Sequence, residues 1–265
     1  MARKPLWNNG NMIDTTRIEK NGKVMLLAYD QGFEHGPVDF NEKTVDPAYI
    51  MEIAKNGYFS GVVFQEGVAA KYYPSASSGQ VQNVPPLIVK LNGKTSFQGE
   101  EPLSLQLCTV EKAASLGAIG VGYSIYVGSE IEERMMVEFS KIEDEAHARG
   151  IIVIAWMYPR GRKVAGREAD RDVVAYGARI GMELNADFVK VPYTGDSESF
   201  EWVVRAAGKT GVLAQGGKKV DWENLDLEIE GAMKAGARGI AIGRNVWQDK
   251  YPNDISKKLS EIVFK

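Results

Sequence analysis

The chain carries one cysteine, two histidines and no long apolar run. With Cys108 alone there is no internal disulfide, which fits a reducing compartment. His35 and His147 do not form a pair at metal-ligating spacing, and no cysteine cluster stands in for one, so neither a catalytic zinc nor any other metal or cofactor is expected. His147 follows Glu143-Asp144-Glu145 and reads as a solvated helix residue. No apolar stretch approaches the ~18–20 residues of a membrane span. Met1-Ala2-Arg3-Lys4-Pro5 lacks the apolar segment of a signal peptide, so a cytoplasmic protein away from membranes is the expectation. Lysine and arginine total 32 against 35 acidic residues, a net charge of −3. No basic excess points to nucleic acid. There is no G-x-S-x-G for a hydrolase serine and no G-x-G-x-x-G after a strand for a dinucleotide.

What is present is a regular alternation. Apolar runs at Val24–Tyr29, Gly61–Gln65, Leu87–Leu91, Ile119–Tyr126, Ile151–Trp156, Phe188–Val191, Gly211–Ala214 and Gly239–Ile242 read as strands. Helical patterns lie between them: Asp46–Asn56 with an early proline, Thr109–Leu116, a long one to Arg149, one opening at Asp170, Ser197–Ala207, Glu223–Ala235 and Ile255–Val263. Ser129 and Glu132 have the spacing of a capping box for the long helix. Val173, Gly177, Ile180 and Leu184 form the apolar face of the next one. Strands alternating with helices imply parallel pairing. Eight units in 265 residues have the size of one closed (β/α)8 barrel over residues 1–265, with residues 1–22 as an N-terminal cover. A doubly wound open sheet is the competing architecture. Pro74–Pro86 reads as a mobile loop after the second strand, which leaves the second helix the hardest to place.

In such a barrel the chemistry collects at the carboxyl ends of the strands. Those ends offer Asp30, Lys90, Asn92, Trp156, Tyr158, Arg160, Lys190 and Tyr193. Alternation puts Lys190 on the same face as Phe188, opposite Val189 and Val191. Covered on both faces, its ammonium loses water, its pKa falls, and the neutral amine becomes a nucleophile for carbonyls. An edge strand with a solvated Lys190 is the plain alternative. Lys90 is the rival amine; the surroundings of Lys190 read as the drier. Gln215-Gly216-Gly217 and Gly243-Arg244 follow the seventh and eighth strands, the usual phosphate site of these barrels. Arg244 would add charge, and Lys218 or Lys219 would close the site. Lys90 and Arg160 are read as positioning groups. A phosphorylated small molecule, an inward lysine, an acid and a tyrosine together favour Schiff-base chemistry on a phosphorylated ketone or aldehyde.

At these residues the chain resembles the archaeal-type class I fructose-1,6-bisphosphate aldolases. The resemblance is carried by Leu27-Ala28-Tyr29-Asp30-Gln31-Gly32-Phe33-Glu34-His35-Gly36-Pro37, Gly61–Gln65, Leu91–Thr95, Tyr158-Pro159-Arg160-Gly161, Val189-Lys190, Tyr193–Asp196 and Gly239–Gln248. It implies a lysine imine at Lys190, a proton-transferring tyrosine at Tyr158, an essential aspartate at Asp30 and a positioning tryptophan at Trp156. It places phosphate contacts at the Gly216-Gly217 and Gly243-Arg244 loops, and implies sugar phosphates as partners and a homo-oligomer such as a decamer of two pentamers. Two positions depart from the family pattern. Gln31 stands where the family has histidine, and Gln215 and Lys218 flank the glycine pair in place of serine and proline. Both departures bear on which sugar is preferred. A related imine aldolase or transaldolase-like enzyme for another sugar, and a sugar-phosphate-binding barrel without catalysis, are the other readings. An isomerase with a carboxylate base lacks the Glu and His pair it would need.

Overall fold

The computed structural model describes residues 7–8, 11–74, 83–99 and 101–265. Eight parallel strands close into a barrel. They are β1 (Val24–Tyr29), β2 (Gly61–Gln65), β3 (Leu87–Lys90), β4 (Gly120–Val127), β5 (Ile152–Pro159), β6 (Phe188–Val191), β7 (Gly211–Gln215) and β8 (Gly239–Ile242). Each pairs with its sequence neighbour, and β8 closes on β1 through Gly239–Val24 to Ile242–Leu27. The open sheet is thereby excluded. Every strand is buried along nearly its whole length, because one face meets the barrel interior and the other meets helices. That is why these segments read as continuous apolar runs.

The surrounding helices are α1 (Gly32–His35), α2 (Pro47–Ala54), α3 (Glu66–Tyr72), α4 (Val110–Ser115), α5 (Glu132–Ala148), α6 (Arg171–Glu183), α7 (Ser197–Ala206), α8 (Trp222–Lys234), α9 (Arg244–Trp247) and α10 (Pro252–Val263). Several begin as side chains dictate. Asp46, Thr109, Asp196 and Asp221 each accept a hydrogen bond from a backbone N–H in the first turn that would otherwise go unpaired. α3 follows β2 without a break, which settles the helix that the sequence placed least well. The Pro74–Pro86 loop lies partly outside the described residues, at 75–82, as do residues 1–6 and 9–10 of the expected N-terminal cover. Within that cover, Ile13 and Ile18 are buried in the barrel interior against Val24, Ile88 and Ile152.

Four local expectations are corrected. β5 runs on to Pro159, so Tyr158 belongs to the strand itself. α5 begins at Glu132, whose carboxylate accepts from Gly128 N at 2.6 Å, so Ser129 and Glu132 do not make a reciprocal capping box. The buried face of α6 is Val174, Ala175, Gly177, Ala178 and Gly181, rotated from the expected face. A Cβ on Gly181 would lie 2.3 Å from Val189, so the helix packs on β6 through small residues that periodicity of large ones does not reveal. Finally, His147 is buried, 5% exposed, not solvated. Its Nε2 lies 3.0 Å from Asp187 Oδ2 and its Nδ1 2.5 Å from Glu143 Oε1. Asp187 also accepts from Val153 N at 2.8 Å. The end of α5 is thus tied to the amino ends of β5 and β6. Burial pushes the imidazolium down, but the two carboxylates outweigh it and the His147 pKa is raised.

Candidate active site

The carboxyl mouth of the barrel holds an open pocket. It is lined by Asp30, Glu34, Lys90, Tyr158, Lys190 and Arg244, with Gln31, His35, Arg160 and the Gln215-Gly216-Gly217 and Gly243 backbone completing it. The catalytic and phosphate-site residues expected from sequence therefore converge. Trp156 lies beneath them, fully buried in the barrel interior.

Register explains the convergence. Lys190 pairs in register with Trp156 on the adjacent strand, so both point inward at one height. Tyr158, two residues on, points the same way one layer nearer the mouth. The Lys190 amine lies 5.4 Å from the Trp156 ring centre and 5.7 Å from that of Tyr158. Lys90 reaches the same tryptophan from β3, at 5.7 Å. Gly122 leaves room for that indole: a Cβ there would lie 2.1 Å from Trp156 Cζ3.

Lys90 is 3% exposed and Lys190 7%, so the expectation that Lys190 is the drier is not met. What separates the amines is bonding. Lys90 Nζ donates to the Asn92 carbonyl at 3.4 Å, whereas Lys190 makes no hydrogen bond or ion pair among the described residues. Burial lowers the Lys190 pKa to about 8; Lys90 adds to the fall and Asp30 opposes it. Burial also lowers that of Lys90, against Asp30 and Glu34. Tyr158 is held well above the usual phenol range, by burial first and by the Asp30 and Glu34 charges next.

Glu34 is the functional residue that site reasoning passed over. Its Oε1 accepts from the Tyr126 hydroxyl at 2.5 Å and its Oε2 from Arg160 Nη1 at 2.9 Å. Burial pushes this carboxyl up, but Lys90, Tyr126 and Arg160 outweigh it and hold it low. The Arg160 guanidinium is 5.4 Å from the Tyr126 ring centre and 5.3 Å from that of Tyr158. This arginine is committed to Glu34 and two aromatic faces. Glu34 sits in a one-turn helix with no periodicity to expose it; only its place in the quoted family segment marks it.

The two glycine loops are joined by Asn245, which donates to Gly216 O at 2.5 Å and Lys218 O at 3.0 Å and accepts from Val220 N. Gly217 has a φ of +61°, and a Cβ on Gly243 would lie 2.5 Å from Ala28 O. Both turns need glycine for a physical reason. Lys219 does not close the site: its amine pairs with Asp249 at 2.9 Å, and Lys218 is exposed outside the pocket lining. Among the described residues no three His, Cys, Asp or Glu side chains are grouped to hold a metal ion.

This arrangement is shared with known proteins. The family profile for DeoC/LacD family aldolase matches residues 24–249. The chain belongs to that family. It is 47% identical over 248 residues to the class 1 fructose-bisphosphate aldolase of Thermoproteus tenax, covering 92% of this chain and 91% of that one. To the protein of the same name from Halobacterium salinarum it is 39% identical, covering 93% and 92%. Among solved structures it superposes with a TM-score of 0.87, at 44% identity and 96% coverage of this chain and 97% of the other. That structure is an archaeal fructose-1,6-bisphosphate aldolase whose catalytic lysine is bound to the carbinolamine intermediate of the substrate. The expected family and barrel are both borne out. No helix among the described residues is long and apolar enough to cross a membrane.

Proposed function

We propose that this family member is a class I lyase that cleaves fructose 1,6-bisphosphate to dihydroxyacetone phosphate and glyceraldehyde 3-phosphate through an imine on Lys190. The observation that carries this is a buried amine, without hydrogen-bond partner among the described residues, at the mouth of the barrel between Trp156 and Tyr158. With a pKa of about 8, about one tenth of Lys190 is neutral at pH 7, against about one part in a thousand or less for an ordinary lysine.

Neutral Lys190 attacks the ketone carbon and gives a carbinolamine. Its hydroxyl leaves as water once protonated, and Tyr158, whose ring centre lies 5.7 Å from the Lys190 amine, is the proton donor at hand. The phenolate so formed takes the proton from the hydroxyl on the carbon beyond the breaking bond. The C–C bond electrons pass into the protonated imine, leaving an enamine and the aldehyde. Protonation of the enamine carbon and hydrolysis release the second product and restore the amine. Asp30 orients the sugar hydroxyls and supports the carbinolamine step. Trp156, Lys90 and Arg160 fix the geometry. Gln215, Gly216, Gly217, Gly243 and Arg244 hold a phosphate, so binding energy remote from the reacting carbon aligns it. The protein acts as a homo-oligomer in the cytoplasm under this reading.

Reduction with borohydride in the presence of dihydroxyacetone phosphate, followed by peptide mass mapping, places the adduct. It is expected on Lys190; an adduct on Lys90 alone would reverse the assignment. Tyr158→Phe is expected to retain a trappable imine and lose cleavage, and full cleavage by that variant would remove its role.

A further inference from the structure

Both arginines of the pocket are met by carboxylates from the segment that follows β1, but unequally. Glu34 holds Arg160 at 2.9 Å. Asp39 Oδ2 lies 3.4 Å from Arg244 Nη1, a long contact. The nearer partner of that oxygen is His35 Nδ1, at 2.7 Å. Arg244 Nη1 is itself 3.5 Å from the same ring nitrogen. A nitrogen giving its proton to Asp39 has no lone pair for Arg244. One carboxylate oxygen is therefore shared by two donors, and the imidazole has the shorter bond. Asp39 is fixed in place, since Gln248 Nε2 donates to its carbonyl at 2.6 Å. His35 and Arg244 both line the pocket. Asp39 and Arg244 are about one-fifth exposed, so their charges are only partly screened by water.

We propose that His35 and Asp39 are positioning residues that set how much of the Arg244 charge reaches a substrate phosphate, with protonation of His35 drawing Asp39 away from the arginine. This rests on the sugar-phosphate reading above. With His35 neutral, Asp39 cancels Arg244 and the group has no net charge. With His35 protonated, the imidazolium and Asp39 neutralise each other, and the guanidinium faces the phosphate with its full charge. The charged groups facing His35 are Asp39, on its own segment, and Arg244, on α9. Neighbouring Glu34 is taken up by Tyr126 and Arg160. Lys190 feels Arg244 across the pocket.

The test measures KM for fructose 1,6-bisphosphate cleavage from pH 5.5 to 8.5 in the wild type, His35→Gln and Asp39→Asn. A phosphate monoester has its own ionisation near pH 6, but this is common to all three proteins and cancels in a ratio. The KM of His35→Gln over that of the wild type is expected to fall from about five at the acid end to about one above pH 8, the scale of a partly exposed charge pair. The KM of Asp39→Asn over that of the wild type is expected to be about one at the acid end and to fall to about one-fifth above pH 8, because Arg244 then has no carboxylate to cancel it at any pH. It also serves if His35→Gln folds poorly. A ratio that does not change with pH, or a higher KM in Asp39→Asn throughout, would overturn the proposal. Calorimetric binding of inorganic phosphate to the same proteins should show the same ratios without needing turnover. If the wild type cleaves no fructose 1,6-bisphosphate, the substrate reading fails, and the phosphate ratios still decide the role of His35 and Asp39.

Discussion

Gly122→Ala isolates the dependence of the site on what lies beneath it. The new Cβ would stand 2.1 Å and 2.2 Å from Trp156 Cζ3 and Cη2. Carbon atoms pack at about 3.5–4.0 Å, so the indole has to retreat by about 1.4 Å. It has nowhere to go: Trp156 is fully buried and its ring is shared by Lys90 and Lys190. Overpacking of this kind costs about 1–3 kcal/mol, offset by about 0.5–1 kcal/mol from removing a strand glycine. A net loss near 1–2 kcal/mol in a chain of this size corresponds to a melting temperature lower by about 2–8 °C. The larger effect is on rate, because a misplacement of about 1 Å at the reacting centre can cost on the order of 10²-fold. Gly120→Ala is the control, since its nearest neighbour is Ile88 Cγ1 at 3.2 Å, which has to give by only a few tenths of an ångström, and it should lose far less activity. The assays are thermal unfolding and steady-state cleavage. A Gly122→Ala protein that melts with the wild type and turns over at full rate would refute the reasoning that the tryptophan floor positions the amines.

Two further outcomes follow from charge. Lys90→Met removes a cation that depresses Lys190, so the amine should titrate higher and the acid limb of kcat/KM should move to higher pH; an unmoved limb would mean Lys90 is neutral in the free enzyme. The raised pKa of His147 means its contribution to stability is present below about pH 6.5, its ordinary value, and is lost as pH rises through the higher folded value. Unfolding free energy by denaturant titration should therefore decline above about pH 6.5, and His147→Gln should flatten that decline; an unchanged slope in the variant would remove His147 as its source.

The strands were legible because each is apolar on both faces and ends in a polar turn, and the closed barrel follows from repeating that unit eight times. The inward lysines were legible for the same reason, since a period of two leaves no freedom about which face Lys190 takes. What could not be read was anything fixed by a partner distant in sequence. His147 looked solvated because its neighbours are acidic, yet Glu143, one turn earlier, and Asp187, from another element, enclose it. Its position beside Ile142 and Ala146, both on the buried stripe of α5, was the available signal. Glu34 and Asp39 lie in short turns whose side chains acquire meaning only once Arg160 and Arg244 arrive from far along the chain. The relative dryness of the two lysines likewise depends on packing from all sides, which local residue types do not record.

The seam between β8 and β1 bears on when the enzyme comes into being. Gly243 lies against the Ala28 carbonyl, and the Trp247 indole donates to that same oxygen at 3.1 Å. A growing polypeptide that stopped short of this tryptophan would own Asp30, Lys90, Tyr158 and Lys190 yet have no finished rim to hold them. Competence for the proposed imine chemistry therefore waits until the last strand is stitched to the first.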